Sequence, residues 1–172
     1  MTESAVAVFL GDSLTERGDW QQVLPGQHVL NFGIGGNTTD DVLERLDEVV
    51  AARPSIVVLE IGTNDFAWRI PLEEVVETIE RLLVELRAKL PDARLLVQSI
   101  LPRQPEYAHV VHTVNEQIQA FAPSVDVEYL DVWPALAGDD EGIKPEFTVD
   151  GLHLSDAGYA AWYALLRTAL AS

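Results

Sequence analysis

The stretch Ser55-Ile56-Val57-Val58-Leu59-Glu60-Ile61-Gly62-Thr63-Asn64-Asp65 decides the fold. Ile56, Val57, Val58 and Leu59 are apolar in unbroken succession, so the run reads as a strand covered on both faces. A strand with one wet face would alternate instead; continuous runs belong to parallel sheets sandwiched between helices. In such open sheets ligands bind beyond the carboxyl ends of the strands, and here that end carries the polar Gly62-Thr63-Asn64-Asp65.

Working outward, residues 5–10, 29–32, 93–100 and 125–131 join 55–61 as strands. Amphipathic stretches alternate with them. Residues 39–52 carry a stripe of Val42, Leu43, Leu46, Val49 and Val50, with Thr38 or Thr39 as cap and Asp40 and Asp41 where the helix dipole favours anions. Residues 71–90 repeat the design with Glu73 and Glu74 first, Arg87 and Lys89 last, and Pro91 as the stop. Residues 106–121 and 155–170 complete the set, the last capped by Ser155. This β-α alternation predicts a three-layer α/β/α domain over 1–172 with a doubly wound parallel sheet and right-handed crossovers. The longest irregular stretch, 137–152, is a candidate functional loop.

Composition narrows the partners. Among 172 residues, 28 Asp and Glu against 11 Lys and Arg give a net charge of −17, while 48% hydrophobic residues mark a globular chain. So acidic a surface repels phosphate backbones and anionic lipid, which argues against nucleic-acid and membrane partners. With no cysteine, disulfides, thiolate metal sites and a Cys nucleophile are excluded. No run approaches the ~18 apolar residues of a membrane span. The first four residues lack a basic leader region, so a cytoplasmic protein is the expectation unless a leader has been trimmed.

Four polar clusters fall at strand ends: Gly11-Asp12-Ser13-Leu14-Thr15, residues 31–38, Gly62-Thr63-Asn64-Asp65 and Asp150-Gly151-Leu152-His153. Together they hold what ester hydrolysis needs. Ser13 follows a strand and opens a helical turn as a nucleophile; His153 can take its proton. Asp150, three residues earlier, can reach the other ring nitrogen and fix the tautomer. Backbone N–H groups of Ser13 and Gly36 and the Asn64 amide can form an oxyanion hole. Leu14, Thr63 and Leu152 adjoin these groups and narrow the acyl side; Trp68 is placed at the pocket rim.

These segments resemble the GDSL, or SGNH, hydrolases, in order and over nearly the whole chain. The family's Ser, Gly, Asn and His blocks match Ser13, Gly36, Asn64 and His153, and its triad aspartate matches Asp150. Residues 31–39, Leu101-Pro102-Arg103 and residues 150–159 are similar to the platelet-activating-factor acetylhydrolase branch. The resemblance implies a flavodoxin-like five-stranded sheet of order 2-1-3-4-5 and a metal-free acyl-ester hydrolase, here a serine esterase without cofactor, while the bulk of Leu14, Thr63 and Leu152 points to short acyl groups. Asn37 departs from the Asp that relatives often carry, which touches loop bonding and not the reacting groups. The partner implied is a small-molecule ester; a homodimer is compatible with the acetylhydrolase likeness. A non-catalytic binding module and an acyltransferase are the alternatives on the same residues.

Other features read more plainly. Gly33-Ile34-Gly35-Gly36 lacks dinucleotide-binding spacing, because its third Gly comes too early. Asp12 lacks the second Asp that phosphoryl transfer would need two residues on, so it is assigned, with Asp65, to bracing the loops around Ser13. His109 and His112, three apart, want a third ligand for zinc and read as a solvated helix face.

Overall fold

The computed structural model describes residues 5–171. Residues 1–4, on which the leader reading turned, lie outside them. The chain runs β1 (Val6–Gly11), α1 (Ser13–Glu16), β2 (His28–Gly33), α2 (Thr39–Glu44), α3 (Leu46–Ala51), β3 (Ile56–Glu60), α4 (Thr63–Ala67), α5 (Leu72–Lys89), β4 (Arg94–Gln98), α6 (Ala108–Phe121), β5 (Glu128–Leu130), α7 (Trp133–Leu136) and α8 (Asp156–Leu170). All five strands pair in parallel in the order β2-β1-β3-β4-β5.

Alternation of side chains across the strands divides the core in two. Val8, Leu10, Val57, Leu59, Leu95 and Val97 face α2, α3, α5 and α6, meeting Val42, Leu46, Ile79, Leu82 and Val111. Ala7, Phe9, Val58 and Leu96 face Trp20 and the α8 residues Trp162 and Leu166. Trp20 stacks on Phe9 at 4.5 Å between ring centroids and meets Trp162 edge-on at 5.0 Å. Each buried indole N–H of this pair finds an acceptor: Trp20 Nε1 donates to the Thr15 carbonyl at 2.8 Å, and Trp162 Nε1 to Gln98 Oε1 at 2.6 Å. These tryptophans are packing elements whose polar edges are satisfied, as burial requires.

Helix starts follow local chemistry. Thr38 and Asp41 form a reciprocal capping box on α2, and the Ser155 hydroxyl accepts the Gly158 N–H to cap α8. Two expectations are corrected. The helix read over 39–52 breaks at Arg45 (φ −106°, ψ 14°), whose guanidinium turns back to Asn37 Oδ1 (2.8 Å) and the Gly11 carbonyl (2.9 Å). The last strand spans Glu128–Leu130 and not 125–131, because a 3₁₀ turn over Ala122–Val125 ends with Asp126 in the left-handed conformation. Among the described residues no helix is long and apolar enough to cross a membrane.

Candidate active site

Close approach of β2 to α1 shapes the nucleophile turn. A Cβ at Gly33 would lie 2.1 Å from the Glu16 nitrogen, so only glycine lets this strand end pass under the turn. Asn31, on the same strand, donates from Nδ2 to the carbonyls of Thr15 (3.0 Å), Glu16 (3.0 Å) and Gly18 (3.3 Å), and its Oδ1 accepts the Gly33 N–H at 2.9 Å. Asp12 caps α1 by accepting the Leu14 N–H at 2.9 Å. Ser13 is the first residue of that helix, where its own N–H has no intrahelical acceptor.

The sequence places Ser13 and His153 far apart; the fold brings them together. Ser13 Oγ lies 3.2 Å from His153 Nε2, and His153 Nδ1 lies 2.7 Å from Asp150 Oδ2. Asp150 Oδ1 also accepts the backbone N–H groups of His153 (2.7 Å) and Leu152 (3.0 Å). Partial desolvation works to raise the Asp150 carboxyl, but the His153 ring and these two N–H donors outweigh it and hold it at about 2. The bend that permits this is stapled by Thr148, whose hydroxyl donates to the His153 carbonyl (2.7 Å) and accepts the Gly151 N–H (2.8 Å). Val149 N–H adds a bond to the same His153 carbonyl at 3.0 Å. The 137–152 stretch is thus ordered by short bridges, Ala137 to Ile143 and Thr148 to Leu154.

Two of the proposed oxyanion donors, Gly36 and Asn64, lie in the glycine loop and in the adjoining α4. Gly36 has φ +82°, a conformation glycine tolerates. A Cβ on its neighbour Gly35 would come within 3.8 Å of the Ser13 Cβ, so this loop lies against the nucleophile. Asn64 Nδ2 donates to the Asn37 carbonyl at 2.9 Å, which ties α4 to the glycine loop with one of its two hydrogens. Asp65 is fully buried and accepts the Thr39 hydroxyl (2.6 Å) and the Thr39 N–H (3.1 Å). Burial pushes its carboxyl up and those two donors offset the rise in part.

The pocket residues divide. Leu14 and Thr63 are buried, Leu152 is half-buried and Trp68 is 74% exposed. Thr63 is further held by Arg103, which donates from Nη1 to its carbonyl (3.0 Å) and hydroxyl (3.2 Å) and lies over the Tyr107 ring at 3.9 Å. Two contributors escaped the reading of single residues: Thr148 and Arg103. His112 is less solvated than expected, since it bonds Glu141 Oε2 at 2.8 Å and packs on Trp133 at 4.2 Å.

With this geometry in view, comparison with known proteins is decisive. Residues 9–161 match the model of the GDSL-like lipase/acylhydrolase family. The chain belongs to that family. Among curated GDSL-like relatives, the human platelet-activating factor acetylhydrolase IB subunit alpha1 is 34% identical over 179 residues, covering 95% of this chain and 76% of that protein. A solved Streptococcus pneumoniae chain named for platelet activating factor is 28% identical, with a TM-score of 0.87 over 98% of this chain and 85% of its own. A Geobacillus acetyl-xylooligosaccharide esterase shares the fold at a TM-score of 0.77 and 21% identity, over 96% of this chain and 94% of its own. Family membership makes the protein a hydrolase of the acylhydrolase class.

Proposed function

We propose that the protein is a serine esterase for short-chain acyl esters, with Ser13 as nucleophile, His153 as general base and Asp150 as the group that orients and stabilises the histidine. The observation that carries this reading is the hydrogen-bonded chain from Ser13 Oγ through His153 to Asp150, at 3.2 and 2.7 Å. An ionised Asp150 only accepts, so it selects the tautomer with the proton on Nδ1 and leaves Nε2 free to take the Ser13 proton. Ser13 Oγ then attacks the ester carbonyl, and the alcohol leaves with the proton that His153 returns. A water activated by His153 releases the acid from the acyl-enzyme. The Ser13 and Gly36 N–H groups and the second hydrogen of the Asn64 amide are the donors for the oxyanion, each worth about 100- to 1000-fold in rate.

Short acyl groups follow from the residues beside the reacting groups. Leu14 and Thr63, next in sequence to Ser13 and Asn64, are buried, and Arg103 holds Thr63, so neither can recede without breaking buried contacts; Leu152 is half-buried. Each added methylene in so narrow a site is worth about 1–3 kcal/mol of discrimination. The acetylhydrolase relatives agree with an acetyl-type acid. The alcohol side is taken to be open and apolar, with Ile34 43%, Trp68 74% and Val149 70% exposed in the segments that hold Gly36, Asn64 and Asp150. The net charge of −17 favours neutral or zwitterionic esters over anionic ones. The reading extends to a cytoplasmic enzyme needing no cofactor, working as a monomer or homodimer.

The test is a p-nitrophenyl ester series from acetyl to decanoyl, run beside fluorophosphonate labelling. Activity should be greatest at acetyl to butyryl, and Ser13→Ala should lose label and about 10³-fold or more in kcat while staying folded. A labelled Ser13→Ala variant, or a preference for decanoyl, would refute the reading.

A further inference from the structure

Among the described residues Arg103 is the one basic side chain that the fold buries, at 6% exposure, and it enters no ion pair. A guanidinium taken out of water without a bonded carboxylate costs stability, and local departures of this kind gather at functional sites. Burial works to lower its pKa, and the Tyr107, Glu106 and Asp150 charges oppose that from a distance. What the buried group contributes must therefore be sought in where its donors go.

They go to both sides of the proposed active site. α4, which carries Asn64, starts without a side-chain cap at Gly62, whereas α1, α2 and α8 are capped by Asp12, Thr38 and Ser155. In place of a cap, Arg103 Nη1 donates to the Thr63 carbonyl at 3.0 Å and to the Thr63 hydroxyl at 3.2 Å. Two bonds to one residue fix its backbone and its rotamer together, and the next residue is Asn64. On the other side Nε donates to Gln104 Oε1 at 2.9 Å. Gln104 in turn lies along the loop of Asp150 and His153, since a Cβ on Gly151 would stand 3.2 Å from its Cγ. The Arg103 carbonyl accepts the Ile143 N–H at 2.9 Å, and the Tyr107 ring supports the guanidinium at 3.9 Å.

We infer that Arg103 is a positioning residue for the oxyanion donor Asn64, a strut that sets α4 against the loop carrying Asp150 and His153. None of its hydrogen bonds goes to Ser13, His153 or Asp150, so it acts through Thr63. Asn64 is then held twice: its amide by the Asn37 carbonyl at 2.9 Å, and its backbone by the clamp on Thr63. The inference rests on the esterase reading, because it needs Asn64 as a donor to the reacting carbonyl. Lysine is no substitute, since a compact ammonium lacks the planar fork that meets Thr63 and Gln104 at once. Losing an oxyanion donor costs about 100- to 1000-fold in rate, and misplacing one by about 1 Å costs up to about 100-fold. The effect of Arg103 is bounded by that of Asn64.

The experiment is a double-mutant cycle in p-nitrophenyl acetate hydrolysis, with Arg103→Gln, Arg103→Lys, Asn64→Ala and the Asn64→Ala/Arg103→Gln pair. Arg103→Gln should lose about 10- to 100-fold in kcat with KM within about twofold, and Arg103→Lys should recover no more than about threefold of that loss. In the Asn64→Ala background, Arg103→Gln should change kcat by less than about twofold, because the donor it aims is gone. An undiminished loss in that background overturns the inference. So does full recovery in Arg103→Lys, which would make charge and not the fork the agent, or a raised KM at unchanged kcat, which would make Arg103 a substrate contact. Should Arg103→Gln fail to fold, Thr63→Val keeps the shape and removes one acceptor; it should cost about threefold in kcat with Asn64 present and nothing without it. An equal cost in both backgrounds overturns the inference. Failure of the esterase reading would show separately, as a wild type that fluorophosphonate does not label or a Ser13→Ala variant that remains active.

Discussion

Two aspartates flank the Ser13–His153 contact, and their surroundings are opposites. Asp150 is half exposed, at 50% of its side chain, yet both of its oxygens are bonded, and its carboxyl is held at about 2. Asp12 is fully buried with one oxygen bare, and burial lifts it to about 7. The number and direction of donors, set against the loss of water, decide whether a carboxyl near this serine works as a charge or as an acid. The same residue type thus stands beside Ser13 once as a depressed, well-bonded carboxyl and once as a raised, buried one.

The contrast is broken most severely at Asp150. Asp150→Asn keeps the shape but offers the wrong partner to Nδ1, so kcat should fall about 10³- to 10⁴-fold in p-nitrophenyl acetate hydrolysis. The sign of its pH dependence is also fixed. Its folded-state carboxyl is depressed, so its stabilisation is present above about pH 4 and drains away as pH falls toward about 2. The difference in melting temperature between wild type and Asp150→Asn should therefore shrink over that window. A difference that stays constant would mean that Asp150 carries no linked proton.

Asp65 lies between the extremes, buried like Asp12 but bonded like Asp150. Thr39→Val removes the 2.6 Å hydroxyl donor and should move it toward the Asp12 condition, costing about 1–3 kcal/mol in urea unfolding. A cost near zero would show that the backbone N–H of Thr39 suffices. The smallest effect is expected at Trp68, which bonds nothing through its side chain and stands in solvent. Trp68→Ala should leave stability within about 0.5 kcal/mol while raising KM for naphthyl acetate a few-fold and leaving methyl acetate unmoved. Equal KM changes for both esters would remove Trp68 from the rim.

What could be read from the residues follows the same division. The unbroken apolar run at Ile56–Leu59 was enough to place three of the polar clusters at the ends of β1, β2 and β3, whereas Asp150–His153 lies not at a strand end but in the loop before α8. Asp150 and His153 were legible because they are three apart, and a turn of that size brings them together without help from the rest of the fold. Thr148 was not, because its hydroxyl meets the His153 carbonyl and the Gly151 N–H only once the loop has folded back on itself. Arg45 was hidden for a related reason. The apolar stripe runs through residues 42–50 without interruption, and the break comes from a guanidinium drawn to the loop before the helix. Periodicity reports which face is buried; it does not register a side chain that bonds across to another element.

The bond between Ser13 and His153 joins residues 140 positions apart. Its two halves reach the ribosome's exit at nearly opposite ends of synthesis, and the β1 half must wait for the last segment before it has a partner. A chain interrupted before residue 153 would carry β1 to β5 and no base for its serine. Loops closed over such distances are the slow ones in folding. Closing the Ser13–His153 contact therefore reports that the chain has folded from β1 through to the loop before α8.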